Sequence, residues 1–216
     1  GRALVYLDLV VVNRLYGARE TGLYGIAFFF SSKLRFFTVT FSCLFNPIIF
    51  NRYAKGDIDG MLDIACRGMR VIGVVFALPV GLLCGFYRPI FTVWVGKGYE
   101  YLYIVAFFLT VHISVNTTTY LLSSILSASN NVRTPSIVSI GFAIANVVLA
   151  VLLGWPSFGL GMAGIAVAGL VTLTLNNAIF TPYYVGLVLK RSPRRIYKTY
   201  FPGILGLIPT FLATYL

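Results

Sequence analysis

The stretch FFFSSKLRFFTV, Phe28 to Val39, sets two cations, Lys33 and Arg35, among seven large apolar residues of twelve. Asp8 lies in a similar setting, YLDLVVVN, and His112, the sole histidine, in FFLTVHISVN. Buried cations can hold an anion, a buried carboxylate can take a proton or a cation, and a histidine can relay protons. Each group also has a structural reading. Asp8 can pair with Lys33 or Arg35 and tie two helices together, and a substrate anion can later displace it. His112 can be a hydrogen-bonded bridge between helices. Residues two apart are about 200° apart on a helix, so Lys33 and Arg35 need not share one target. Arg67 and Arg70 share a helix face, with Asp63 one turn before Arg67. They read as anchors at an exposed helix end or as a portal for phosphate.

The other motifs carry less chemistry. Asn13, Asn46, Asn116, Asn146, Asn176 and Asn177 sit in or near apolar runs, where asparagines bridge helices. Some could bind sugar hydroxyls. NTT at Asn116 reads as a glycosylation sequon, but its place inside an apolar run argues against that use. GLGMAG, Gly159 to Gly164, fits a dinucleotide fingerprint only in letters. It follows a proline-broken turn, and no Asp or Glu occurs after Glu100 to bind a ribose. Gly164, Ala168, Gly141 and Ala145 read better as small residues for close helix packing. Cys43, Cys66 and Cys84 have no CxxC spacing and are expected as unpaired fillers. With no Ser/His/Asp set and no paired carboxylates, neither an enzyme nor a cofactor or metal is expected.

The elements that must position these groups follow from composition. Of 216 residues, 58% are hydrophobic and 11% charged, against roughly 25% charged in soluble domains. Mean hydropathy is +0.87. Seventeen basic and six acidic residues are too few for a water-facing skin, so the bilayer is the expected host. Turn residues and charges divide the chain into seven expected spans. They are Ala3 to Tyr16, Gly22 to Phe50, Met61 to Phe86 with a kink at Pro79, Leu102 to Ser127, Ser136 to Gly154, Met162 to Leu189, and Thr199 to Leu216 with breaks at Pro202 and Pro209. Tyr87 to Tyr101 is mixed and reads as interfacial or re-entrant. The first span is 14 residues, about 21 Å of helix, short of the roughly 30 Å of hydrocarbon. It reads as cut, so the chain reads as part of a larger protein, and no signal peptide is visible.

Alternate connections carry unequal charge. One set holds Arg52, Lys55, Arg133, Lys190, Arg191, Arg194, Arg195 and Lys198, with Arg67 and Arg70 nearby. The other holds Arg19, Arg88 and Lys97, with Arg14 just inside the first span. The richer side is cytoplasmic by the positive-inside rule, and the first span enters from there, in agreement with Arg2. The net charge of +11 is thereby spread over one membrane face, which argues against nucleic-acid binding.

YLDLVVVNRLYGARETGLYGIAF, then NPIIFNRYAKGD, then LPVGLLCGFYRPIFTVWVG, resembles the second half of the polysaccharide flippases of the multidrug/oligosaccharidyl-lipid/polysaccharide exporter superfamily. The resemblance covers nearly the whole chain and rests on Gly, Pro and loop residues. It implies an all-α polytopic membrane bundle. Residues 1–197 would be the second six-helix bundle, with the first bundle absent, and 198–216 the start of an added helix. It implies alternating-access movement of lipid-linked oligosaccharide across the cytoplasmic membrane, with the N-terminal bundle of the same protein as partner. Lys33, Arg35 and Arg14 are the positions that would line the cavity and face an anionic cargo, with Asp8 or His112 open to ion or proton coupling. A cation-coupled drug exporter of the same superfamily would work through an acidic cavity residue, and Asp8 alone offers one. A membrane scaffold or truncated remnant is the alternative outside transport.

Overall fold

A computed structural model describes residues 2–99, 101–116, 118–155 and 160–212. The protein is an all-α helical membrane bundle. Four described helical stretches, Leu7–Ala54, Ile58–Trp94, Arg133–Gly154 and Gly161–Val188, are long and apolar enough to cross a bilayer, and Leu102–Val111 is a shorter apolar helix. The outer surface carries the apolar load. Helix α7 (Arg133–Gly154) turns Ile137, Ile140, Ile144, Val148 and Leu152 outward at helical spacing, each at least 50% exposed. Such a stripe suits acyl chains rather than water.

Helix α1 (Arg2–Cys43) has two limbs that meet at Gly17, where φ is 84° and ψ −179°. Only glycine adopts that backbone cheaply. The expected five-residue turn is therefore a single residue, and the helix resumes at Ala18. The second limb ends at Cys43, before Pro47 rather than after it. Pro47 sits in the first turn of α2 (Asn46–Ala54), where a missing N–H costs nothing. The expected loop to Gly60 shrinks to the turn at Gly56. Asp57 then caps α3 (Ile58–Trp94), its Oδ1 accepting from the Gly60 N–H at 2.8 Å. Arg52 pairs with the same carboxylate and, with that N–H, holds it below the usual carboxylate range.

Helix α3 corrects one expectation. It runs through Pro79 and Pro89 to Trp94, so Tyr87 to Trp94 continues the helix and is not a re-entrant turn. Val80, Cys84, Tyr87 and Phe91 keep the buried helical spacing across Pro89, and the Tyr87 hydroxyl lies 2.6 Å from Thr110 Oγ1. The turn comes later, at Gly96 and Gly98, both at positive φ. Leu102 to Ser127 is not one helix but three: α4 (Leu102–Val111), α5 (Ile113–Asn116) and α6 (Tyr120–Ala128). Past Gly161 come α8 (Gly161–Thr174), a π-helical segment (Leu175–Phe180) and α9 (Thr181–Val188), then α10 (Arg194–Tyr197) and α11 (Phe201–Leu212). The expected turn at 156–159 and the end of the last span, 213–216, lie outside the described residues.

Cross-links sort the connections into two ends. Arg191 grips Asp59 with two bonds of 2.7 and 2.8 Å, and Arg195 reaches Asp63 at 2.7 Å. Asp63 also takes the expected pair with Arg67, at 2.7 Å. The α9–α11 connection thus sits with the start of α3. At the other end Arg19 donates to Tyr99, Tyr101 donates to Glu20, and Tyr16 donates to the Gly154 carbonyl.

Small residues seal two seams. A Cβ on Gly164 would lie 2.2 Å from the Leu153 carbonyl oxygen, and one on Gly203 would lie 3.2 Å from Gly73 Cα. The first marks the α7–α8 seam, the second α3 against α11. Gly141 and Ala145 do not pack as expected: both are exposed, with open space beside Gly141. Cys43, Cys66 and Cys84 are free thiols.

Candidate functional site

Helix breaks build the site. His112 stands at the turn between α4 and α5, and Asn116 ends α5. The run that follows is rich in Thr, whose hydroxyls compete for helix carbonyls, as Thr118 does by donating to Val115 at 2.8 Å. Across from it the π-helical segment carries Asn176 and Asn177. Pro182 follows. Its ring crowds the carbonyl four residues back, at Ala178, and widening the helix there relieves the clash. Thr181 closes the widened turn, donating both its backbone N–H and, at 2.9 Å, its hydroxyl to the Asn176 carbonyl.

Between these breaks and the second limb of α1 lies a cavity of about 170 Å³. Arg35, His112, Asn116, Thr119, Asn176 and Asn177 are among its lining. Arg35 Nη2 stands 3.4 Å from His112 Nε2, and His112 Nδ1 stands 3.1 Å from the Phe108 carbonyl oxygen. A guanidinium only donates and a carbonyl only accepts, so this geometry fits a ring with its proton on Nδ1. His112 is thus an interhelical bridge that orients Arg35. The remaining guanidinium donors are available to the cavity. Below, Thr119 and Tyr200 share a hydroxyl pair at 3.1 Å, and both approach the Asn177 carbonyl.

Lys33 does not join this cavity. It is exposed, its Nζ 5.3 Å above the Phe29 ring, and Phe29 in turn rests against Trp94. The ring face attracts the cation and leaves it on the outer side of the helix. Arg14 is also exposed. Of the three expected cavity cations, the structure brings only Arg35 to the site.

Asp8 is buried, at 5% exposure, but among the described residues no ion pair joins it to Lys33 or Arg35. Arg35 acts on it through space, and the direct contacts come from neutral side chains. Asn146 Nδ2 donates to Asp8 Oδ1 at 2.9 Å, and Thr172 donates to Asn146 Oδ1 at 2.9 Å. This joins α1, α7 and α8. Gly169 leaves room beside the second oxygen, where even a Cβ would stand 3.4 Å away. Asn46 bridges in the same manner, accepting from Ser124 at 2.6 Å. Among the described residues no cluster of His, Cys, Asp and Glu could hold a metal ion. The sequence marks Asn146 as a helix bridge, a lone polar residue in the apolar run GFAIANVVLA, but neither it nor Thr172, one of two threonines in VTLTL, was legible as a partner of Asp8.

Comparison with known proteins gives one informative relative. The chain is 37% identical over 182 residues to the uncharacterized membrane protein EpsK of Bacillus subtilis (strain 168), a match that covers 84% of this chain. The chain spans about a third of that relative's length, 36%. No protein-family model matches, and no solved structure matches.

Proposed function

We propose that this chain is part of a flippase that carries lipid-linked, negatively charged oligosaccharide precursors across the cell membrane by alternating access. One observation carries the reading. Inside an apolar bundle, Arg35 is held at the wall of a polar cavity by a histidine, with donors to spare. Such a cation lowers the cost of bringing an anionic headgroup through about 30 Å of hydrocarbon, while the lipid tail stays in the bilayer. The resemblance to polysaccharide flippases and the similarity to a membrane protein point the same way. The basic connections around Arg191 and Arg195 would face the cytoplasm, where such precursors are made available. Deleting the gene should abolish surface polysaccharide and leave lipid-linked intermediates on the cytoplasmic leaflet. Normal surface polysaccharide in the deletion strain overturns the reading.

Asp8 is proposed as the coupling group. Its Oδ1 accepts from Asn146, and the second oxygen, beside Gly169, is where a proton or a monovalent cation would sit. Asp8→Asn keeps the shape and can still bond to Asn146, so the bundle should persist. Transport by this variant should lose its dependence on pH or on sodium. If the dependence is unchanged, Asp8 is a helix tie only. The same feature favours a second reading, a cation-coupled drug exporter. That reading expects the deletion strain to become sensitive to cationic dyes while its polysaccharide stays normal.

A further inference from the structure

We infer that the cavity beneath Arg35 is a subsite for one anionic sugar ring, whose acidic group bonds to Arg35 and whose hydroxyls bond to Asn116 and Asn176. The inference rests on the transport reading and names its cargo more closely. Among the described residues, the buried side-chain atoms without a hydrogen-bond partner are the Tyr24 hydroxyl, Asn116 Oδ1 and Asn176 Oδ1. Both amides line the same cavity, and they are only 8% and 7% exposed. Their nitrogens are engaged: Asn116 Nδ2 lies 3.5 Å from Thr174 Oγ1, and Asn176 Nδ2 lies 3.2 Å from Ser139 Oγ. Leaving buried acceptors open is costly, and native proteins concentrate such exceptions at functional sites.

The open groups specify the ligand. The amide oxygens need hydrogen-bond donors, whereas Arg35 offers donors and needs an acceptor, best an anion. A fully ionised pyrophosphate supplies acceptors alone and would leave both oxygens bare. A sugar ring with a carboxylate or a phosphate ester supplies both. Hydroxyls donate and accept, so they also suit either end of an amide. Size agrees: about 170 Å³ is below the roughly 300–1,000 Å³ of sites for drug-sized ligands, which fits one ring and not a chain of them.

The test is saturation-transfer NMR on the intact protein in nanodiscs, with glucuronate, glucose 6-phosphate, glucose and pyrophosphate as probes. Glucuronate or glucose 6-phosphate should bind, the stronger one identifying the acidic group, and glucose should bind about tenfold more weakly than either. Asn116→Leu and Asn176→Leu should each weaken the bound sugar about fivefold to tenfold, with only a small fall in the thermal midpoint, because each removes a bare oxygen together with one long hydrogen bond from its nitrogen. The inference is overturned if pyrophosphate displaces the sugar as well as the sugar displaces itself, if no sugar binds, or if the leucine variants lose stability but not affinity. Sugar binding without translocation in liposomes would instead remove the flippase reading and leave the subsite standing.

Discussion

Arg35→Gln is expected to reduce export of lipid-linked saccharide about tenfold to a hundredfold while the protein stays in the membrane at normal abundance. Charge-assisted hydrogen bonds contribute about 1.5–3 kcal/mol each, and every 1.4 kcal/mol is a factor of ten. Glutamine keeps an N–H donor for His112 Nε2, which Arg35 now serves, so loss of the charge is separated from loss of the bridge. Arg35→Lys should restore part of the activity, since it returns the charge without the fork that binds two oxygens at once. Arg35→Ala should additionally destabilise the bundle, because it leaves a ring nitrogen without a donor. Surface polysaccharide with membrane abundance read in parallel checks all three variants.

Gly164→Val is expected to have the largest effect on stability, lowering membrane abundance several-fold. The new Cβ would sit 2.2 Å from the Leu153 carbonyl oxygen and 2.6 Å from its carbon. Both are backbone atoms and cannot turn aside, so α7 and α8 must separate. Overpacking costs typically about 1–3 kcal/mol and more where backbone must move. The same seam carries Asn146 and Thr172, so its opening also frees Asp8 from its partner. Gly141→Val is the control. Nothing stands within 4 Å of that position, and the variant should accumulate and melt like the parent protein. Thermal denaturation in detergent distinguishes the two.

Most helices were legible in the sequence because apolar runs and turn residues mark them, and their lipid-facing stripes follow from the same runs. The separation of Lys33 from Arg35 was also legible, since two residues turn a helix by about 200°. Their roles were not. Which of two opposite faces looks inward depends on partners such as His112, which is 77 positions from Arg35. The pairing of Asp8 with Asn146 spans 138 positions, and no spacing rule predicts it. Small residues likewise announce close packing without naming a face, which is why Gly164 packs and Gly141 does not. The mixed composition from Tyr87 onward misled in the other direction. The buried series at Val80, Cys84, Tyr87 and Phe91 was the better guide to where α3 ends. The π-helical segment had its signal in Pro182, four residues after Ala178, but a proline alone does not say whether a helix kinks, stops or widens.

Transport on this reading depends on Arg35, and not Lys33, meeting the cargo. Liposomes bearing the intact protein and a fluorescent lipid-linked acidic oligosaccharide give the transfer rate across the bilayer directly. Arg35→Gln should slow transfer about tenfold or more, while Lys33→Gln, which removes only a cation–π contact at an exposed position, should stay within about twofold. Equal rates for the two variants, or a larger loss from Lys33→Gln, would contradict it.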